Sequence, residues 1–371
     1  MRIAFLFEHP TVSGAEGSGL ELLAQLDRRE FQATAFAPPE GELALRLAAL
    51  GVPHRPWPAA PRDGGVLRAA LEPGGFDLLH ANTLHLGRLT GAAAADLGLP
   101  TAAHIREFGT LGARERAHLC ANARLIAVSA ALRDDLTAQG IPAEKIRVIY
   151  NGVSPPPAAG RFDLRAELGL PAGAPLVVWL GQITVRKAPE VFVAAAAEIA
   201  RREARAHFVL CGEVFGGKAE NLRLKDGLLA AAARPPLAGR LHLLGWRRDA
   251  RAILAQATVL AHTARQEPLG RVLIEALAAG TPVAATRVGG TAEVLGSCGE
   301  LFEPDNPSAC ADALAALLGD EGRRAAFARE GRARWAARFR PERMAAETRA
   351  LWREIAADRT ILPGMIVRDW P

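Results

Sequence analysis

Cysteine is scarce in this sequence, and its spacing argues against two classes of protein. The four cysteines are Cys120, Cys211, Cys298 and Cys310, with no C-x-x-C pair and no metal-ligand spacing. A disulfide scaffold and a zinc module are therefore disfavoured, and a reduced, cytoplasmic compartment is the simplest interpretation. No apolar run reaches the roughly 18 residues of a membrane span. The first eight residues are too short for a signal peptide and end in an acid, so they predict a strand.

Tyrosine is almost missing, and no basic run is interleaved with aromatic residues. No sequence motif therefore indicates nucleic-acid binding. The net charge is +5, and the surplus lies after Pro155, where 30 basic residues face 24 acidic ones. Such a surplus favours an anionic ligand or peripheral contact with the inner face of a membrane. Much of it falls in residues 323–359, where interleaved acids are typical of a solvated helical face.

The chain is long enough for two α/β domains. It has 371 residues, of which half are apolar, so each domain can bury a core. Short apolar segments alternate with helical ones throughout, which predicts parallel sheets covered on both faces. The predicted strands are residues 2–7, 33–37, 78–81, 101–104, 125–128 and 146–149, then 176–180, 206–210, 241–244, 258–261, 283–285 and 299–302. Intervening helices are predicted at residues 20–26, 43–50 and 130–139.

A Pro/Gly-rich segment at residues 151–160 interrupts the alternation and predicts a linker. We therefore predict Rossmann-like domains at 1–155 and 156–340, facing each other across a cleft, with ligands at the carboxyl ends of the strands. Residues 341–371 would form a C-terminal helix and tail, whose return to the first domain stays open. The last helical stretch, 321–357, is expected to pack its large apolar residues mainly onto the second domain.

The most informative motif is a pair of glutamates eight residues apart. Between Glu267 and Glu275 lies a Pro-Leu-Gly turn that opens a helix, and a Gly-Thr-Pro segment and a new strand follow the helix. The free N–H groups at the helix start, near Gly270, Arg271 and Val272, form an anion site. A site of this kind offers N–H donors to a phosphate and carboxylates to hydroxyl groups. It therefore suits a sugar nucleotide, which has both.

Two further segments predict phosphate contacts. Residues 14–19 have the glycine spacing G-x-x-G-x-G and are predicted as a loop that opens a helix and lets a phosphate approach the backbone. This spacing differs from the dinucleotide fingerprint G-x-G-x-x-G, which disfavours a dehydrogenase. In the second half, Arg186 and Lys187 lie between a strand and a helix. Only four lysines occur among 45 basic residues, so a lysine at this place is informative.

Polar residues end two predicted strands of the first half. His80 and Asn82 end one, and His104, Arg106 and Glu107 end the other. Polar side chains at the carboxyl ends of parallel strands indicate the lining of a site. The histidines share no metal-ligand spacing and no D-x-D pair occurs, so we predict no tightly held metal.

These motifs, in this order, resemble the retaining glycosyltransferases of family 4, which have the two-domain GT-B fold. The Glu-x7-Glu element and its flanks match at 267–282, and Ser-Gly-Ala-Glu at 13–16 resembles the family's first glycine loop. Residues 76–83 and 99–106 resemble the acceptor-side strand ends of this family. Residues 127–153 resemble the family's segment that leads into the interdomain linker. The resemblance implies retaining transfer of a sugar from a nucleotide-diphosphate sugar, the co-substrate, to an acceptor hydroxyl, without a cofactor.

By position, the resemblance assigns roles on the donor side. It implies that Gly14 lies beside the diphosphate, that Lys187 neutralises the leaving phosphate and that Glu267 accepts hydrogen bonds from sugar hydroxyls. Glu275 would hold the ribose, and the segment around Trp246 would contact the base. The backbone of four residues would hold sugar and phosphate: Leu269, Gly270, Arg271 and Val272.

On the acceptor side, the resemblance places His104 near the donor sugar, and Asn82, Arg106 and Glu107 towards the acceptor. One donor-side position departs from the family, which usually has arginine where this chain has Gln182. Either Arg186 replaces that arginine or phosphate binding is weaker, and we favour Arg186.

Two other functions stay open at this point: a nucleotide-sugar-binding protein without transferase activity, and a nucleotide-sugar epimerase of the same fold. A UDP- or GDP-linked donor is favoured. The acceptor stays open between a saccharide, a lipid-linked saccharide and a small molecule.

Overall fold

The computed structural model describes residues 1–57, 64–72, 75–156 and 162–358. The chain divides into two compact units. Unit 1 combines Met1–Val153 with the C-terminal segment that begins at Phe339, and unit 2 is Ser154–Arg338. The predicted linker is described up to residue 156, and the predicted tail lies outside the described residues.

Unit 1 is built around a single parallel sheet. Its strands are β1 (Arg2–Leu6), β2 (Gln32–Ala37), β3 (His54–Pro56), β4 (Leu78–Ala81), β5 (Thr101–Ile105), β6 (Arg124–Ala127) and β7 (Ile146–Val148). The helices before the linker are α1 (Gly14–Ala24), α2 (Glu42–Ala49), α3 (Gly64–Leu71), α4 (Leu84–Leu97), α5 (Ala113–Ala121) and α6 (Ala130–Ala138). The strand order is β3-β2-β1-β4-β5-β6-β7.

Unit 2 repeats this plan with six strands. They are β8 (Leu176–Leu180), β9 (His207–Cys211), β10 (Leu241–Gly245), β11 (Val259–His262), β12 (Val283–Thr286) and β13 (Glu300–Phe302), in the order β10-β9-β8-β11-β12-β13. Its helices are α7 (Leu164–Glu167), α8 (Pro189–Arg202), α9 (Ala219–Ala232), α10 (Ala250–Ala255), α11 (Arg271–Ala279), α12 (Thr291–Leu295), α13 (Pro307–Gly319) and α14 (Glu321–Arg338). No helix in the described ranges is long and apolar enough to cross a membrane.

The alternating pattern predicted twelve of these strands, each to within one residue at either end. β4 and β5 are buried along their whole length because helices cover both faces of the sheet. The prediction missed β3. Its three residues include an arginine and a proline, which are typical of the exposed edge strand that it is.

The predicted glycine loop at residues 14–19 is wrong, because these residues form the first half of α1. A Cβ added to Gly19 would lie 2.6 Å from the Phe7 ring and 3.2 Å from Nδ2 of Asn82. The helix therefore approaches the sheet so closely that a side chain at this position does not fit. Glycine serves close packing here, and this requirement overrides its low helix propensity.

The predicted helical stretch at 321–357 consists of two helices. α14 ends at Arg338, and a new helix, α15 (Pro341–Ala357), begins with a proline, which the first turn of a helix tolerates. The expectation that this stretch packs mainly onto the second domain fails for α15. Its apolar face, with Met344, Leu351 and Trp352, belongs to the core of unit 1.

Candidate active site

A buried ion pair lies at the carboxyl-end edge of the unit 2 sheet. Lys187 ends a short 3-10 turn after β8, and Glu267 follows β11. The Nζ of Lys187 donates a hydrogen bond to Oε2 of Glu267, and the two side chains are only 17% and 7% exposed. The fold thus joins two residues that are 80 positions apart in the sequence and that the motifs had singled out separately.

His262 completes this cluster. It is the last residue of β11, is buried, and its Nε2 lies 2.9 Å from Oε2 of Glu267. Burial lowers the pKa of His262 below its ordinary value, although Glu267 partly offsets this effect. Burial alone would raise the pKa of Glu267, but Lys187 and His262 outweigh it and hold that pKa well below the usual range. Glu267 is therefore an anion at neutral pH, and the neutral imidazole donates through Nε2.

The start of α11 provides backbone donors next to Glu267. Gly270 is the N-cap with φ +94°, a left-handed conformation that favours glycine. The amides of Leu273 and Ile274 bond back to the Gly270 carbonyl, whereas the first N–H groups of a helix have no partner within it. The amides of the first turn, at Arg271 and Val272, are those that the helix geometry directs outward from the start of α11.

Several other predicted donor-side residues lie along the same edge. Arg186 is exposed, and its Nη1 donates to the Gln266 carbonyl at 3.0 Å, next to Glu267. Gln182 is half-buried in the loop after β8. Trp246 follows β10 and is 46% exposed, with the Arg248 guanidinium 5.9 Å from its ring. β10 is the outermost strand of this sheet, and β9 and β8 lie between it and β11. Trp246 therefore lies at the end of the edge that is farther from Glu267.

The remaining donor-side residues belong to α11 and the turn before it. Leu269 is buried. Arg271 and Glu275 form a salt bridge one helical turn apart, with Nε 3.1 Å from Oε1. Both side chains stay mostly buried, which limits the number of directions in which Glu275 can accept a hydrogen bond.

In unit 1, the predicted acceptor-side residues form a second polar network. Asn82 follows β4 and is fully buried, and its Oδ1 accepts from Arg106 at 2.9 Å. Arg106 also donates to Oδ1 of Asn151 at 2.6 Å, while Nδ2 of Asn82 donates to the Ala15 carbonyl in the first turn of α1. Both polar ends of Asn82 are thus engaged, and its clearest effect is to orient Arg106. Glu107 is exposed at the next position.

The histidines at the strand ends also meet. Nε2 of His80 lies 2.9 Å from Nδ1 of His104, and both rings are completely buried. Burial lowers the pKa of His80 to about 3, and burial with the nearby Arg106 charge holds the pKa of His104 well below its ordinary value. Gly14 is exposed at the start of α1, with open space where a Cβ would lie.

Sequence reasoning missed three residues of these networks: His262, Asn151 and Trp352, whose indole Nε1–H donates to Nδ1 of His80. His262 had a usable signal, because it is a polar residue at the carboxyl end of a strand, like His80. Asn151 was assigned to the linker, and Trp352 to a helix with the wrong partner. Across the described ranges, no group of three or more histidine, cysteine or acidic side chains is arranged to hold a metal ion.

Comparisons with known proteins agree with this architecture. A model of glycosyltransferase family 4 matches residues 12–155, and one of the group 1 glycosyl transferases matches residues 174–320. The D-inositol 3-phosphate glycosyltransferase of Thermobispora bispora is 32% identical over 74% of this chain and 70% of its own length. Its counterpart in Xylanimonas cellulosilytica is 27% identical over 90% of this chain and 92% of that protein.

A solved structure shares the fold. HepE of Anabaena, in complex with UDP-glucose, superposes with a TM-score of 0.84 at 22% identity, covering 95% of this chain and all of that one. The fold, the order of the motifs and the relatives agree, and the chain belongs to glycosyltransferase family 4, as a glycosyltransferase with the GT-B fold.

Proposed function

We propose that this enzyme transfers a hexosyl group from a UDP-linked sugar to an acceptor hydroxyl, and that the carboxyl-end edge of unit 2 binds the donor. The observation that carries the proposal is the buried cluster of Lys187, Glu267 and His262 beside the start of α11. It combines a cation and backbone donors, which suit a diphosphate, with a carboxylate, which suits sugar hydroxyls.

The carboxylate of Glu267 has a free side. Lys187 and His262 both contact Oε2, and no hydrogen bond among the described residues is seen at Oε1. Oε1 is therefore the atom that would accept a sugar hydroxyl, while the two neighbours keep the group ionised and oriented. Lys187 would at the same time face the departing phosphate.

The length of the edge supports an extended ligand. Trp246 and Glu267 follow strands that are three positions apart, or roughly 14 Å at the usual strand spacing. A base at Trp246 and a sugar at Glu267 would leave the diphosphate near Lys187, Arg186 and the start of α11. Arg186 would supply the second cation in place of an arginine at Gln182, and Glu275 would bind the ribose.

On the acceptor side, His104, Arg106 and Glu107 are the proposed contacts, with Asn82 orienting Arg106 and Gly14 facing the diphosphate. Two relatives are named for D-inositol 3-phosphate, so a phosphorylated polyol is the first acceptor to test. The panel should also include saccharides, lipid-linked saccharides and small alcohols.

Lys187→Ala tests the donor site. Loss of one charge-assisted contact should weaken UDP binding by about 1.5–3 kcal/mol, as measured by calorimetry. Arg202→Ala is the matched control, because Arg202 forms an exposed ion pair with Glu198 at the opposite end of α8. Unchanged UDP affinity in Lys187→Ala would remove this lysine from the site. Donor hydrolysis over UDP- and GDP-linked sugars would identify the nucleotide, and a clear preference for GDP would contradict the proposed donor.

A further inference from the structure

A row of rings crosses the buried face of unit 1 that α15 covers. In the strand register Phe5 is the partner of His80, and their rings stack with centroids 4.6 Å apart. His80 is in turn the partner of Ala102, two residues before His104. Side chains two residues apart point to the same face of a strand, so His104 shares this face with His80. Trp352 of α15 packs edge-on against His80, 5.5 Å between centroids.

Hydrogen bonds link three of these rings in one direction. The indole Nε1–H of Trp352 donates to Nδ1 of His80 at 3.0 Å, and Nε2 of His80 lies 2.9 Å from Nδ1 of His104. An indole nitrogen is only a donor, so Nδ1 of His80 must be the acceptor and its proton must be on Nε2. His80 then donates to Nδ1 of His104. The proton of a neutral His104 is therefore on Nε2.

We propose that Trp352 and His80 are positioning residues that fix the tautomer of His104, so that His104 offers an Nε2–H donor to an oxygen of the bound substrate. The inference rests on the proposed function in one respect, the place of His104 beside the donor sugar. Nε2 of His104 has no hydrogen-bond partner within the described residues, although it is buried. A buried polar atom left unpaired is costly, so an oxygen that pairs with it is bound favourably.

The arrangement also excludes other protonation states of His104. A cationic His104 would point an Nδ1–H at the Nε2–H of His80, and His80 cannot release that position while Trp352 donates to its other nitrogen. The Arg106 charge acts in the same direction, since it lowers the pKa of both rings. His104 is therefore a donor and not a base. Because Nε2 is buried, a substrate oxygen reaches it only when neighbouring side chains move.

The tautomers can be read directly. In the wild-type protein with 15N-labelled histidine, NMR should show His80 and His104 protonated on Nε2 alone, with assignments from single histidine variants. Trp352→Phe removes the donor that orients His80, and both rings should then populate the second tautomer. Trp57→Phe is the matched control, since this buried tryptophan follows the edge strand β3. A wild-type His104 protonated on Nδ1, or a Trp352→Phe spectrum like the wild type, would overturn the proposal.

Kinetics test the consequence. Gln at position 80 can accept from Trp352 and donate to His104, whereas Leu can do neither. Among variants that keep the wild-type circular dichroism, His80→Leu and Trp352→Phe should lower kcat about tenfold with little change in UDP affinity, and His80→Gln should recover most of it. Equal losses in His80→Leu and His80→Gln would contradict a tautomer effect. A wild-type protein inactive on every donor would contradict the proposed function, while the NMR result would still decide the tautomers.

Discussion

At the scale of single residues, the ionisation of Glu267 depends on neighbours that only the fold supplies. Its pKa is lowered in the folded protein, so its ionised form stabilises the native state. This contribution is complete above the unfolded pKa of about 4.3, and it is lost as the pH falls through that value towards the lower pKa of the folded state. Stability should therefore depend on this carboxylate at neutral pH and much less in acid.

Glu267→Gln tests this dependence. The variant keeps the shape of the side chain and removes its charge, so it should lose about 2 kcal/mol of unfolding free energy at pH 7. The deficit relative to wild type should shrink as the pH is lowered below about 4. Urea unfolding at both pH values measures it, with Glu198→Gln on the exposed Arg202 pair as the control, for which little effect is expected at either pH. A deficit that grows in acid would contradict the assigned charge state.

The sequence could identify Lys187 and Glu267 separately but not as partners. Each follows a predicted strand, and a polar residue in that place indicates a site. That they meet depends on β8 and β11 being neighbours in the sheet, although β9 and β10 intervene in the sequence. Strand order is a long-range property that local patterns do not contain.

At the scale of elements, α1 shows how packing overrides local propensity. Its three glycines predicted a loop, but a helix that begins at Gly14 buries residues 16–20 against the sheet. The glycines nonetheless differ from one another. Gly19 faces Phe7 and Asn82, whereas Gly14 faces open space. Position along the helix, which the spacing alone does not reveal, separates a packing glycine from one available to a ligand.

Paired alanine substitutions should separate these functions. Gly19→Ala should destabilise the protein by about 1–3 kcal/mol, because its Cβ would overlap the Phe7 ring. Gly14→Ala should keep or slightly raise the melting temperature, because alanine favours a helix, and should weaken UDP binding if the diphosphate approaches this backbone. Thermal unfolding and calorimetry on both variants test this. A Gly14→Ala protein with wild-type UDP affinity would place the diphosphate elsewhere.

At the scale of the whole molecule, alternating strands and helices were enough to predict two parallel sheets, and the motifs at their ends were enough to predict the family. They could not predict where α15 packs. The sequence pattern of an amphipathic helix indicates that one face is apolar, but it does not indicate which domain core that face packs against. The Phe339 carbonyl accepts from the Val153 amide, so the second segment of unit 1 pairs with the end of the first segment before α15 joins the core of that unit. This return brings Trp352 to His80.

The stereochemical outcome follows from how the charged groups are distributed over the chain. An inverting transferase needs a base that deprotonates the acceptor. His104 is held as a donor, and the buried Glu16 accepts from Ser13, the N-cap residue of α1. In the proposed donor site, three elements of unit 2 would instead serve the leaving group: Lys187, Arg186 and the first amides of α11. Preorganised positive potential of this kind stabilises a departing diphosphate, whose oxygen can take the acceptor proton on the same face.

We therefore expect retention of the donor's anomeric configuration. With an α-linked UDP-sugar, proton NMR of the first-formed product should show an α-linkage, judged against synthetic α and β standards. The same linkage should form in Glu107→Gln, at whatever rate that variant supports, because retention by this route does not use an acceptor-side base. A β-linked product would require such a base. If Glu107→Gln then abolished turnover, the exposed Glu107 carboxylate would be that base, and the role assigned to the leaving phosphate would be wrong.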